Sequence, residues 1–184
     1  MKKVLVPLAP GFEEIEAVTI IDVLRRAGVE VTVAGTEPGV LRGSRGIMVE
    51  PDTTLDTVDA GSFDAIALPG GLPGTITLRE DPRVLEAVRR HHASGKLTAA
   101  ICAAPTVLAA AGLAEGTRLT AHPSVQGELA AGGATISAER VCTDDRIVTS
   151  QGPGTSMEFA FELVARLCGP DKVAELNVGI LARV

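Results

Sequence analysis

One cysteine stands out in the segment AAICAAPTVLAA, residues 99–110. Every neighbour of Cys102 is small or aliphatic. Its side chain is therefore either one more small buried hydrophobic group or a functional thiol that the segment positions. The pattern predicts a strand that ends at Cys102 and a short helix that follows it directly. Open α/β sheets place their working groups just beyond the carboxyl ends of strands, which favours a nucleophile here.

The residues around the cysteine indicate a sharp turn. A nucleophile at such a corner needs small residues two positions before and after it, because the backbone packs closely there. Ala100 and Ala104 occupy those positions, so A-I-C-A-A is a cysteine version of the nucleophile elbow. A helix start, with Pro105 in its first turn, favours thiolate over thiol. The amide of Ala103, together with an amide from the loop LPGG (Leu68–Gly71), is a candidate for an oxyanion hole.

Three glutamates surround the start of the first predicted helix, in GFEEIE. Carboxylates stabilise a helix N-terminus, and capping is a sufficient reason for Glu13 and Glu14. Glu16 adjoins the apolar stripe of that helix, at the sheet edge where Cys102 is expected. A partly buried carboxyl there would have a raised pKa and would stay protonated beside a thiolate. Periodicity alone leaves this acid/base role and a purely structural one equally open.

The histidines fall into two groups. His122, in TAHPSV, follows a predicted strand, and a Cys/His pair would suggest papain-like nucleophilic catalysis. A histidine that only makes structural hydrogen bonds at the strand end is the alternative, and the sequence leaves both open. His91 and His92 lie on a predicted helix beside two arginines, and we expect them to face solvent.

The elements that must position these residues alternate between strand and helix. Strands are predicted over Lys3–Leu8, Val29–Gly35, Phe63–Gly71, Lys96–Cys102 and Arg118–His122; helices over 14–27, Asp81–Gly95, Ala103–Gly112 and in two closing segments over 153–182; hairpins around Gly46–Glu50 and over Ala134–Gln151, the latter turning at Asp144 and Asp145. This order predicts one α/β domain over residues 1–184, a mostly parallel sheet with helices on both faces.

Composition and charge exclude several classes of protein. Apolar residues make up 46% and charged residues 22% of the chain, as in globular proteins. A net charge of -6 without a Lys/Arg block argues against nucleic-acid binding. The short apolar run at the N-terminus precedes an acidic cluster, which favours a strand over a signal peptide, and no run has the length of a membrane span.

Three widely spaced cysteines suggest neither a disulfide framework nor a zinc site. We therefore expect a reduced, cytoplasmic protein. Cys142, within a hairpin, and Cys168, at a helix end, are expected to be inert.

Taken together, these segments resemble the ThiJ/PfpI superfamily, within it the branch of the Parkinson-disease-associated protein deglycase and its bacterial relatives. The segments that carry the resemblance, in family order and spacing, are GFEEIEAV, RRAGVEVTVAG, FDAIALPGG, AAICAAPTVLA, TAHPSV and TSQGPGTSMEFAFELV. It implies a flavodoxin-like homodimer in which Cys102 is the peroxide-sensitive cysteine, Glu16 its protonated partner and His122 the nearby histidine. It also implies that Gly71 and Ala103 supply backbone amides, with Arg26 and Arg45 at or near the subunit interface.

The resemblance further implies a cofactor-independent activity on small α-oxoaldehydes. Activities attributed to the family are glutathione-independent glyoxalase (glyoxalase III) and deglycation of methylglyoxal adducts on proteins and nucleotides, and a redox-sensing or chaperone role is the alternative.

The sequence departs from the family pattern at two positions. Ala103 stands where the protease-like branch has histidine, which argues against peptidase activity, and Ala104 stands where close relatives usually have glycine, so its methyl group is expected to tighten the turn or the pocket.

Overall fold

The structure, a computed structural model, describes residues 1–182, and a seven-stranded sheet forms its centre. The strands are β1 (Lys3–Leu8), β2 (Glu30–Gly35), β3 (Leu41–Arg42), β4 (Met48–Val49), β5 (Thr53–Thr54), β6 (Ala65–Leu68), β7 (Leu97–Ile101), β8 (Arg118–Leu119), β9 (Thr135–Ile136), β10 (Val141–Asp144) and β11 (Ile147–Ser150). The sheet order is β10-β11-β7-β6-β1-β2-β5. All pairs in it are parallel except β10 with β11, which confirms the predicted mostly parallel sheet.

Helices cover both faces of this sheet. They are α1 (Glu14–Arg26), α2 (Leu72–Glu80), α3 (Pro82–Ala93), α4 (Pro105–Ala110), α5 (Pro123–Ala131), α6 (Ser156–Cys168) and α7 (Pro170–Gly179). On one face α1 and α6 pack residues such as Ile20 and Phe159 against the strands. On the other face α2, α3 and α4 contribute Leu78, Val88 and Leu108. No helix among these is long and apolar enough to cross a membrane.

The structure differs from the sequence prediction in the second half of the chain. Only the first two residues of the predicted strand 118–122 form β8, and β8 pairs in parallel with β9 in a separate small sheet. The hairpin is therefore shorter than predicted, because it contains only β10 and β11. Of the strand or hairpin expected around 46–50, the structure has the hairpin, since β4 pairs with β3 in antiparallel fashion.

Helices α2 and α5 are absent from the sequence prediction. Both sequences lack a clear apolar stripe and contain an interior glycine, Gly74 or Gly127, which lowers helix propensity. A local signal was nevertheless present, because each helix has a proline, Pro73 or Pro123, in its first turn.

The prediction that His91 faces solvent was wrong. Its side chain is 1% exposed, and the Nδ1–H group donates to the carbonyl of Ala87 at 2.8 Å. Nε2 is buried without a partner in the described part of the chain. His92, the next residue, is half-buried. His91 lies on the buried, apolar face of the amphipathic helix α3. The arginines next to it in sequence therefore did not indicate that its side chain is buried.

Burial of His91 predicts an acid-sensitive step in stability. Burial disfavours the imidazolium, so the pKa of His91 is lowered from its usual 6.5. The unfolded chain then binds more protons than the folded one below about pH 6.5, and stability falls as the pH drops through that range. We expect His91→Gln to flatten the dependence of the unfolding free energy on pH between 6.5 and 5, measured by urea titration. His92→Gln is the control, and an equal flattening in it would contradict the prediction.

Candidate active site

Cys102 occupies a strained turn between β7 and α4. Its φ of 66° lies in the left-handed region, which is unfavourable for residues other than glycine. Hydrogen bonds hold the residue in place on both sides, because its amide donates to the carbonyl of Ser150 at 3.0 Å and its carbonyl accepts from the amide of His122 at 2.9 Å. The surrounding strands thus fix the backbone in a conformation that it would not adopt alone. This geometry is that of the predicted nucleophile elbow.

Two backbone amides are directed at the sulfur of Cys102, those of Gly71 and Ala103. Gly71 has a φ of 92°, and a Cβ atom there would collide with the backbone of Gly11, Phe12 and Glu13. Only glycine therefore brings this amide to the cysteine. The two N–H groups are positioned to stabilise negative charge on the sulfur or on an adjacent oxygen.

The carboxyl group of Glu16 lies beside the thiol and is fully buried. Oε2 accepts a hydrogen bond from the Gly70 amide at 2.8 Å. Oε1 meets no donor nitrogen or oxygen within residues 1–182, and the carboxyl group interacts with the thiol of Cys102. Burial raises the pKa of Glu16 to about 7, although the Gly70 amide acts in the opposite direction. The carboxyl therefore keeps its proton to a higher pH than an exposed glutamate does.

The pKa of the cysteine is shifted in the direction opposite to the sequence-based expectation. Burial, and then the charge and hydrogen bond of Glu16, raise the pKa of the Cys102 thiol to about 12. The amides of Gly71 and Ala103 lower it but do not compensate. Above pH 7 the coupled pair thus holds one proton. Transfer of that proton to Glu16 gives a thiolate that faces two amides and a carboxylic acid.

A cavity of about 340 Å³ opens in front of Cys102. Its lining residues are Glu13, Ser44, Arg45, Gly71, Leu72, Pro73, Cys102, His122 and Pro153. His122 forms the N-cap of α5, and its Nδ1 interacts with the hydroxyl and the amide of Ser124 at 2.8 and 3.2 Å. No hydrogen bond joins its ring to the thiol among the described residues. The structural role that the sequence left open is thus present, and the ring still lines the cavity.

The structure separates the two predicted arginines. Arg45 lines the cavity in front of Cys102, and its guanidinium has no ion pair or hydrogen bond to any residue in the range 1–182. Arg26 pairs with Asp22 at 2.6 Å and lines a different cavity of about 450 Å³ between α1 and the α7 region. Within a single chain, Arg26 therefore does not line the cavity around the cysteine.

Glu14 has a role that differs from the capping expected of it. Glu13 is a helix cap as expected, because its Oε2 accepts from the Glu16 amide at 2.8 Å. Glu14 is buried instead, and its carboxylate binds the segment 43–47. Nothing in the local spacing of GFEEIE indicates a partner so far along the chain.

Ala104 has ordinary helical backbone angles and packs in the core with Ala100. Its methyl group therefore faces the interior, and the turn does not need glycine at this position. No group of three His, Cys, Asp or Glu side chains in residues 1–182 is arranged as metal ligands would be.

Comparison with known proteins gives consistent matches over the whole described chain. Residues 2–166 match the model of the DJ-1/PfpI family. The crystal structure of Drosophila melanogaster DJ-1beta superposes with a TM-score of 0.96 at 43% identity, covering 100% of this chain and 99% of that one. A structure of Toxoplasma gondii DJ-1, described as oxidized, gives 0.94 at 40% identity and full coverage of both chains. The glutathione-independent glyoxalase DJR-1.2 of Caenorhabditis elegans is 40% identical over 95% of this chain and 94% of its own.

Proposed function

The chain belongs to the DJ-1/PfpI family, and we propose that it is a cysteine-dependent glyoxalase or deglycase that acts on methylglyoxal and on early glycation adducts of proteins or nucleotides. The observation that carries this proposal is the arrangement at the elbow. A strained cysteine, a buried carboxyl of raised pKa and two convergent amides meet at one cavity. The glyoxalase name of the Caenorhabditis elegans relative supports the same chemistry.

The reaction begins when the Cys102 thiolate adds to the aldehyde carbon, forming a C–S bond. The carbonyl oxygen becomes an oxyanion that the amides of Gly71 and Ala103 stabilise until Glu16 donates a proton to it. The Glu16 carboxylate then removes the proton from this carbon and returns it to the neighbouring carbon, while the hydroxyl proton passes to the oxygen of that neighbouring carbon, giving a thioester of lactate. Water cleaves the C–S bond, which releases lactate and restores the thiol. His122, at the cavity wall, can assist these transfers.

The same cycle accounts for deglycation. When the aldehyde carbon carries an amine from a protein or nucleotide as a hemiaminal, the Cys102 thiolate displaces it: the C–S bond forms as the C–N bond breaks, and Glu16 protonates the leaving amine. The resulting hemithioacetal continues through the steps above, and the product is again lactate. The cavity volume of about 340 Å³ is within the range of small-molecule sites, and it opens to solvent beside exposed residues such as Leu72.

The test compares the fully reduced protein with Cys102→Ser and Cys168→Ser, following methylglyoxal loss and lactate formation together. We expect Cys102→Ser to lower kcat/KM by at least about 10³-fold, because an alcohol is a far weaker nucleophile than a thiolate. Cys168→Ser removes an exposed thiol and should retain the parent rate. Equal rates for the parent and Cys102→Ser would overturn the proposed enzyme.

A second candidate function is a redox sensor or oxidation-switched chaperone, in which Cys102 is oxidised to the sulfinate beside Glu16. Cys102 is partly accessible at a cavity, whereas Cys142 is buried, so peroxide would reach Cys102 more easily than Cys142. The oxidized relative from Toxoplasma gondii favours this interpretation of the site. It becomes the leading function if the turnover test fails.

The proposed enzyme is a homodimer. Exposed large apolar side chains lie on α1, at Ile15 and Val18, and on the β3–β4 hairpin, at Ile47 and Met48. An unpartnered apolar surface of this kind is typical of protein–protein interfaces, and it lies on the elements that carry Arg26 and Arg45.

A further inference from the structure

We propose that Thr155 is a positioning residue, whose buried hydroxyl group orients the peptide group between Ser150 and Gln151 and thereby holds the backbone of Cys102 in its strained conformation. The segment concerned is TSQGPGTS, residues 149–156, whose hydroxyl groups take no part in the proposed reaction. An effect on turnover rests on the proposed function. The effect on the Cys102 backbone does not, because hydrogen exchange of its amide measures it directly.

The amide of Cys102 is held at the last position of the strand pair β7–β11. Ser150 is paired with Ile101 in parallel register, and the carbonyl of Ser150 accepts the Cys102 amide at 3.0 Å. Both strands end here, so no further hydrogen bond of this pair supports the left-handed φ of 66° at Cys102. The orientation of the Ser150 carbonyl therefore decides whether this support is present.

The peptide group of Ser150 and Gln151 is fixed from its opposite side by Thr155. A trans peptide group is planar and points its C=O and N–H in opposite directions. The C=O accepts from Cys102, and the Gln151 N–H donates to Oγ1 of Thr155 at 3.2 Å. The amide of Gly152 donates to the same oxygen at 3.1 Å. Thr155 is 4% exposed, so water has little access to this oxygen.

A second hydroxyl group completes the arrangement. Oγ of Ser150, which is fully buried, donates to the carbonyl of Arg140 at 2.7 Å. It lies 2.6 Å from Oγ1 of Thr155, and since its own proton is used, it accepts the proton of Thr155. The Gly152 carbonyl, at 2.9 Å, already accepts the amide of Thr155. The Thr155 hydroxyl thus donates one hydrogen bond and accepts two, which uses its full capacity.

Thr155→Val removes this oxygen while leaving a side chain of nearly the same shape. The amides of Gln151 and Gly152 then lack an acceptor in a buried place, which costs free energy unless the backbone moves. Rotation of the Ser150–Gln151 peptide group is the movement that frees its N–H, and the same rotation turns the C=O away from Cys102. Loss of the hydroxyl group therefore reaches the nucleophile through one planar group.

The experiment follows hydrogen–deuterium exchange of single amides in the full chain by NMR. In Thr155→Val we expect the protection of the Cys102 amide to fall on the order of 10- to 100-fold. The amide of residue 98 is the internal reference, because it donates to the carbonyl of Arg146 at 2.9 Å at the opposite end of the same strand pair. Its protection should change only as far as the overall stability does, measured by urea unfolding.

Three further variants separate the hydroxyl group from general destabilisation. Thr155→Ser restores the hydroxyl and should keep the protection of Cys102 within about 3-fold of the parent. Thr98→Val makes the same change at a fully buried hydroxyl without a hydrogen-bond partner among residues 1–182, and it should not lower the protection of Cys102 relative to the reference. Ser150→Ala leaves the Gln151 amide bound to Thr155, so its effect should be smaller than that of Thr155→Val.

Equal losses of protection at Cys102 and at residue 98 in Thr155→Val would overturn the positioning role. An effect of Ser150→Ala as large as that of Thr155→Val would overturn the route through the peptide group. If Thr155→Val fails to fold, the parent decides the matter. Its Gln151 amide should then be protected to within about 10-fold of that of Cys102, and exchange as fast as in an exposed loop would contradict the proposal.

Turnover gives a second readout, which depends on the proposed function. We expect kcat to fall by roughly 10-fold or more in Thr155→Val, because the sulfur of Cys102 is displaced from its catalytic position, and to recover in Thr155→Ser. An unchanged kcat beside a loss of Cys102 protection would mean that the strained turn is not needed for the chemistry, and it would overturn the role of Thr155 in turnover. Absence of lactate formation in the parent would instead refute the proposed enzyme, and the exchange results would stand independently of it.

Discussion

Glu16→Gln should lose most of its turnover and at the same time become more stable than the parent protein above pH 7. The glutamine amide cannot exchange a proton with the thiol or the substrate, so kcat should fall by about 10²- to 10⁴-fold. The hydrogen bond from the Gly70 amide at 2.8 Å can be retained by the amide oxygen. Loss of the negative charge should also lower the pKa of Cys102, because that charge contributes to raising it. Alkylation by iodoacetamide at pH 8.5 should therefore be faster in the variant.

The gain in stability follows from the raised pKa of the carboxyl. Glu16 titrates near 4.5 in an unfolded chain and at about 7 in the folded protein. Its contribution to stability is therefore intact below pH 4.5 and is lost as the pH rises through 7. A shift of this size corresponds to about 3 kcal/mol of lost stability at pH 8 and above. Glutamine does not ionise, so the variant does not lose this stability as the pH rises.

Urea unfolding at pH 4.5 and pH 8.5 checks this prediction. The variant should match the parent at the lower pH and exceed it by about 3 kcal/mol at the higher one. Glu30→Gln is the matched control, because it removes an equal charge from the surface, where Glu30 pairs with Lys3 at 3.2 Å, and surface pairs contribute little. A variant that is inactive and also less stable at pH 8.5 would indicate disruption of the site.

The parts of the site that could be predicted from sequence are those encoded locally. Aliphatic runs such as KVLVPL became buried parallel strands, since such strands have no solvent-facing side. The turn at Cys102 was indicated by small residues on either side, and LPGG by its glycines. In both cases the residues that make the geometry possible are sequence neighbours of the functional group.

The parts that could not be predicted depend on contacts between distant segments. The position of Cys102 before a helix start led us to expect a lowered pKa of its thiol. The pKa is raised instead, because the sulfur is buried and Glu16, from another helix, lies beside it. Glu14 is an ordinary first-turn acid by spacing, yet it binds the segment 43–47. His91 follows charged neighbours and is nevertheless in the core. In each case tertiary packing overrides a local preference.

Gly71→Ala should be the most damaging single methyl addition in the site. The added Cβ would meet the backbone of Gly11, Phe12 and Glu13, none of which can move like the end of a side chain. The residue also has a φ of 92°, which adds strain of about 1–2 kcal/mol for an L-residue. With the steric overlap we expect a loss of roughly 3–5 kcal/mol in unfolding free energy. Turnover in any folded fraction should fall, because the amide of Gly71 is displaced from the sulfur of Cys102.

Gly112→Ala distinguishes the effect of backbone strain from the effect of the steric collision. Gly112 has a similar φ of 82°, but a Cβ atom added there would meet nothing within 4 Å, so the substitution introduces the backbone strain without the collision. The unfolding free energy should fall by only about 1–2 kcal/mol, and kcat should equal that of the parent. Equal losses in the two variants would mean that the loop 9–13 yields to the extra methyl group. The close approach of that loop to Gly71 would then be unnecessary for placing the amide at the cysteine.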